Sequence, residues 1–261
     1  MASLITLKRR IGSIKNTRQI TKAMQLVSAS KLRRAQEYSA RSRAYGDLAY
    51  ELLARLSAIK EVERHPLFEK RNVQTRLYII VTSSSGLAGA YNANVLKQLT
   101  IAIRADQAAH VASRVIAVGS KGAQFVRRLS GVELAAVYPS FGDEPTANDI
   151  RPVLNTVIEE YLEHRTDEVH ILYTFSKSSI TQVVRSQQLL PAVRGTVEDE
   201  TIENAPTVST FEPDIETVVQ QVGTRLIEAQ IWQAILEGLA SEHAMRTVAM
   251  TNATGTCRDL I

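Results

Sequence analysis

Residues 3–59 read SLITLKRRIGSIKNTRQITKAMQLVSASKLRRAQEYSARSRAYGDLAYELLARLSAI, a stretch without proline in which Gly12 and Gly46 are the only glycines. Nothing in it interrupts a helix of some fifty residues, which at 1.5 Å per residue would be about 80 Å long, far more than a globular domain needs. Its apolar residues keep heptad spacing. Leu4, Leu7, Ile11 and Ile14 step by 3 and 4, and so do Ala35, Tyr38, Ser42, Tyr45, Ala49, Leu52, Leu56 and Ile59. That pattern is one strand of a coiled coil. Between the two runs the phase is expected to slip: Ile14 leads to Arg18 and Thr21, while Ile20, Met24 and Val27 mark a displaced stripe. The middle of the seam is therefore read as a polar, basic waist.

The other end of the chain mirrors this one. Pro213 suits a first helical turn and Asp214 and Glu216 suit its dipole, after which Val219, Val222, Leu226, Ala229, Gln233, Leu236 and Ala240 again step by 3 and 4. Between the helices, short β-branched runs at 77–82, 115–118, 134–137 and 169–175, with a weaker one at 182–184, alternate with helical stretches. This alternation predicts crossover units and a mostly parallel sheet. The fold class is thus α/β: a long antiparallel coiled coil of the N- and C-terminal helices on a Rossmann-like domain. The expected division is 1–64 for the first helix, 65–195 for the α/β domain, 196–212 for a polar linker and 213–261 for the second helix. Pairing near Ile59 with near Ile215 puts Met24 roughly opposite Arg246.

Composition excludes several classes. With 44% hydrophobic and 22% charged residues the chain is an ordinary globular protein, and no window approaches the roughly 18 apolar residues of a membrane span. Cys257 is the one cysteine, so an internal disulfide or cysteine cluster cannot form. The net charge of +4 is modest, yet nine Lys or Arg lie between Lys8 and Arg34, before the first acidic residue at Glu37.

The stretch 7–36, LKRRIGSIKNTRQITKAMQLVSASKLRRAQ, resembles the N-terminal signature of F-type ATP synthase gamma subunits in its IKNT, ITKAM and KLRRAQ elements. Further similarity lies in SSSGLAGAYNAN at 83–94, VGSKG at 118–122, QLLP at 188–191, EPD at 212–214 and LASEHAMRTVAMTNAT at 239–254. The resemblance implies a central-stalk rotor without a catalytic site or cofactor, its coiled coil inside the hexamer of α and β subunits, its base on the epsilon subunit and the membrane c-ring. It implies a place peripheral to the cytoplasmic face of a bacterial inner membrane; a bacterial source is the expectation, since the N-terminal residues do not read as an organelle transit segment and Cys257 has no partner for the cysteine pair of chloroplast relatives. Such a rotor should meet its sleeve through small and cationic groups that exchange partners easily, reaching acidic loops over about 8 to 10 Å. Lys15, Arg18, Lys22, Met24, Lys31, Arg33, Arg34 and Arg246 are the expected partner interface. Family members usually continue past the NAT segment, so the tip of the rod is expected to be missing, with Ile261 level with Arg9 and with Leu4 and Leu7 unpartnered.

Other motifs carry less. Gly86 and Gly89, and Gly119 with Lys121 and Gly122, could be phosphate-cradling turns, but neither is GxGxxG or a P-loop, so both are read as strand-to-helix turns. His65, His110, His164, His170 and His243 form no i, i+4 pair, which argues against a metal site. Glu159, Glu160 and Glu163 read as a solvated helix face rather than acid and base groups. The alternative is a basic coiled-coil nucleic-acid-binding protein, against which stand the seam and the absence of any aromatic before Tyr38 in the basic region. An α/β enzyme using a nucleotide fails on the phosphate loops.

Overall fold

The computed structural model describes residues 4–56, 59, 62–142, 145–177, 181–192 and 214–261. The expected linker 196–212 lies outside them. Helix α1 (Leu4–Leu56) runs 53 residues, and α5 (Ile215–Asp259) runs 45. Between them lie β1 (Thr75–Val81), α2 (Tyr91–Ala108), β2 (Ala112–Val118), α3 (Ser120–Val126), β3 (Val132–Tyr138), α4 (Ala147–Leu162), β4 (Glu168–Ser176) and β5 (Gln182–Leu190). The strands form one sheet in the order β3-β2-β1-β4-β5. β1 pairs parallel with β2 and β4, β2 parallel with β3, and β5 closes the edge antiparallel to β4.

Central strand β1 is buried on both faces from Leu77 to Val81, as its continuous apolar run LYIIV requires. Tyr78 and Ile80 point to one side, among Val95, Leu99 and Ile103 of α2 and Val126 of α3. Leu77, Ile79 and Val81 point to the other, among Ile150, Val153 and Val157 of α4 and Ile227, Ile231 and Ile235 of α5. Two helix starts use side chains as donors' partners: Asp214 accepts from Thr217 N (2.8 Å), and Asp149 accepts from Thr146 N (2.7 Å), which holds its carboxyl below the ordinary value. Two helix ends use histidine. His110 after α2 and His164 after α4 take the left-handed conformation, both at φ 57°, that ends a helix, usually with glycine.

At the amino ends of the strands Asp106, the last acid of α2, is buried and accepts from Tyr78 Oη (2.7 Å), Ser113 Oγ (3.0 Å) and Arg76. Arg76 also donates to Glu168 (2.7 Å), so one network pins α2, β1, β2 and β4.

Helices α1 and α5 pack antiparallel along their length, but the seam differs from the heptad reading in three ways. It does not slip phase: Thr21, Ser28, Ala35, Ser39, Gly46 and Ala49 are buried, and their steps of 7, 7, 4, 7 and 3 keep one heptad frame throughout. The displaced stripe is an outer face, with Ile20 61% and Val27 55% exposed and Met24 intermediate. Lower down, Tyr45 and Leu52 are exposed and the neighbouring Gly46 faces the partner helix instead. The reason is distance: small side chains let the two backbones approach, and a Cβ on Gly46 would lie 3.2 Å from Gln233 Cγ. On α5, Val222 is likewise exposed and Gly223 packs against Leu67 and Phe68.

Register is read from Thr254 Oγ1 donating to Thr21 Oγ1 (2.8 Å), Ala35 against Leu239 and Ala240, and Gly46 against Gln233. Met24 therefore comes level with Thr251, about a turn beyond Arg246, and Ile261 comes level with Ile14 rather than Arg9. Leu4 and Leu7 are exposed.

Candidate functional site

α5 is buried on nearly every side between residues 226 and 244 because it lies between α1 and the sheet. Where it crosses the carboxyl ends of β1 and β4, Gly238 allows the contact. A Cβ there would come within 2.8 Å of Val81 Cγ1 and 3.3 Å of Tyr91 Oη. One turn on, Ser241 Oγ donates to Thr174 O (2.9 Å).

This place is the point where the sheet order reverses, from β1 toward β2 on one side and β4 on the other, and in open α/β sheets it is the usual crevice for a nucleotide. Here a helix of the same chain fills it. The glycine turn at 119–122 is also occupied from within. Gly119 sits at φ 94°, where a Cβ would fall 2.1 Å from Thr82 O. The amides of Ser120, Lys121 and Gly122 bond Ser84 Oγ (3.3 Å), Ser83 O (3.1 Å) and Thr82 Oγ1 (3.0 Å). Donors that would cradle a phosphate are thus committed to the loop that follows the neighbouring strand β1.

Arg246 departs from expectation. It is 7% exposed, and its Nη2 donates to Ser85 Oγ (2.8 Å), Gly86 O (3.4 Å) and Glu242 Oε1 (2.7 Å). The residue expected beside Met24 on a partner interface thus holds the loop after β1 against the shaft. Its position on α5 turns it toward the sheet, which heptad spacing alone cannot distinguish from the seam.

The remaining interface residues lie along α1. Lys15, Arg18, Lys22, Arg33 and Arg34 are exposed, whereas Lys31 and Met24 are intermediate. Lys22 donates to Gln25 (3.3 Å), and Arg33 lies 3.6 Å from Glu37 across an exposed i, i+4 pair. Large apolar groups interrupt this basic surface, since Ile20, Leu26 and Val27 stand outward between the cations.

Glu160 also requires correction. Rather than lying on a solvated face it is buried, between Arg114 (2.7 Å) and Arg165 (2.8 Å). Glu159 and Glu163 are exposed and also pair with Arg165. A cleft of about 520 Å³ at the amino ends of β1–β3 is lined by Thr75, Ser113, Arg114, Glu133 and Arg165, and its arginines are matched by these carboxylates. Among the described residues no cluster of three His, Cys, Asp or Glu side chains could hold a metal, and no helix is long and apolar enough to cross a membrane.

Residues 3–261 match the sequence family described as ATP synthase. The chain is 34% identical over its whole length to 90% of the ATP synthase gamma chain of Polaromonas naphthalenivorans. It is 37% identical, again over its whole length, to 89% of that of Geobacter metallireducens. The chain belongs to the ATP synthase gamma chain family. Among solved structures, the central stalk and c-ring of Tetrahymena thermophila mitochondrial ATP synthase contains a chain of the same fold. The TM-score is 0.68 at 22% identity, over 90% of this chain and 99% of that one. Gamma-chain membership accounts for two long helices flanking an α/β base, and the nucleic-acid alternative finds no support among these relatives.

Proposed function

We propose that the chain is the central-stalk rotor of an ATP synthase, turning inside a hexamer of α and β subunits while its base rides with an epsilon subunit on the membrane c-ring. The observation that carries this reading is the placement of α5. One helix is both half of the shaft and the plug of the crevice where an α/β enzyme would bind its nucleotide. Catalysis then belongs to the partners, and this subunit supplies an asymmetric rod whose angle differs for each of them. The expected place is peripheral, on the cytoplasmic face of a bacterial inner membrane.

Lys15, Arg18, Lys22, Lys31, Arg33 and Arg34, with Met24, are proposed to face the sleeve, and Arg246 supports the loop after β1 from inside. Charge at an exposed surface attracts without a fixed geometry, which suits a contact that must be made and released at each angle. Reconstitution with α and β subunits tests the reading. A cooperative ATPase that requires this chain supports it; a hexamer whose activity is indifferent to the chain would overturn it.

A further inference from the structure

The seam between α1 and α5 is built from small side chains, so it brings the helices close but specifies their relative angle weakly. Hydrophobic packing is non-directional, and a run of Thr, Ser, Ala and Gly offers few knobs to resist slipping. α5 is fixed to the sheet by Gly238 and Ser241, whereas α1 lies on the far side of α5. Some directional contact must fix the angle of α1 if the rod is to turn as one body.

Such a contact exists where α1, α5, β4 and β5 meet. Arg43 of α1 lies 3.5 Å from Glu237 Oε1 of α5 and 5.8 Å above the Phe175 ring of β4. Arg185 of β5 stacks on the same ring at 3.5 Å. Gln233 Nε2 donates to Glu237 Oε1 (2.9 Å). Glu237 is 6% exposed, and its second oxygen is buried without a hydrogen-bond donor among the described residues. A buried carboxylate satisfied on one side only is a poor way to gain stability. It is, however, a good way to specify geometry, because a polar group in a seam selects one register at the expense of stability.

We propose that Arg43, Glu237, Phe175 and Arg185 form a torsional clamp that fixes the angle of α1 against the base, with Glu237 and Arg43 as positioning residues for torque transfer. The clamp rests on the rotor reading for its purpose but not for its existence. It is also sensitive to protons. The groups facing Glu237 are Arg43 from α1, Tyr173 from β4, Arg185 from β5 and Gln233 on its own helix. Burial raises the Glu237 carboxyl above its ordinary value, with Gln233, Arg43 and Arg185 opposing. Falling pH therefore neutralises Glu237 and opens the clamp. The same protonation favours the folded state, because a raised carboxyl binds its proton more tightly folded than unfolded.

This opposition gives a test that a merely structural role would not pass. In the full chain with Cys257→Ala, spin labels at Arg41→Cys on α1 and Lys97→Cys on α2, both exposed, report the width of the distance distribution between shaft and base. Glu237→Gln and Arg43→Gln are each expected to broaden it about twofold, and the double variant no more than either, since the two act as a unit. Glu237→Gln should leave the unfolding midpoint unchanged or raised. Acidification should broaden the parent distribution but not that of Glu237→Gln. Unchanged widths, additive broadening, or broadening accompanied by a lowered midpoint in Glu237→Gln would overturn the clamp. If Glu237→Gln did not fold, Arg43→Gln, altering a side chain that is 51% exposed, would decide by its width alone. In the reconstituted complex the variants should pump fewer protons per ATP hydrolysed while hydrolysing normally. A parent chain that failed to organise the ATPase would overturn the rotor reading and leave the clamp standing on its label distances.

Discussion

His65 and His170 show how a single side chain carries information that its neighbours in sequence do not. His65 Nδ1 accepts from Leu67 N (3.3 Å), which fixes the neutral ring, and burial lowers its pKa below the ordinary value against Glu216 and Gln220. His170 is lowered mainly by burial, although Glu168 opposes the shift. A group lowered on folding binds its proton less tightly in the native state. Its contribution is therefore fully present above the unfolded value, about 6.5, and declines as pH falls from there toward the lower folded value. The double variant His65→Gln, His170→Gln is expected to show a flatter dependence of unfolding free energy on pH over that window. Denaturant titrations across the window check this, and an unaltered slope would refute it.

At the scale of the element, the seam follows contact distance rather than size of the apolar group. Ala35→Leu places extra methyl groups between helices that meet at van der Waals distance, and is expected to cost about 1–3 kcal/mol. Ile20→Ala, by contrast, trims an outward side chain and should change stability by less than about 0.5 kcal/mol. Urea unfolding of the two variants distinguishes the observed seam from the displaced stripe. A larger loss for Ile20→Ala than for Ala35→Leu would restore the stripe.

For the whole molecule, the position of α5 across the sheet's reversal point has a binding consequence. The chain on its own is expected to take up neither ATP nor ADP at micromolar affinity, because Gly238, Ser241 and Arg246 occupy the crevice and the turn amides are bonded internally. Saturable heat in a calorimetric titration would contradict this. The basic surface on α1 should also make assembly with α and β subunits sensitive to salt, because exposed charges are screened beyond about 8 Å at physiological ionic strength. Arg18→Gln with Lys22→Gln is expected to weaken assembly at low salt and to reduce its salt dependence. An identical salt profile would remove these two residues from the interface.

Local periodicity was enough to determine the two long helices, the parallel sheet between them and their antiparallel return, because heptads and alternating crossovers depend only on neighbours along the chain. The signature stretches were likewise legible, and with them the gamma chain family. Three features needed the tertiary structure. Which residues form the seam depended on how closely two backbones approach, so Gly46 and Ser28 displaced Tyr45 and Val27. Arg246 turned from an expected partner contact into an internal one because α5 has a second neighbour, the sheet, whose position is set by contacts about 160 residues away in the chain. The clamp around Glu237 brings together four elements, and no spacing within any one of them marks it. A heptad records that one face of a helix is covered. It does not record by what, and α5 is covered on both sides.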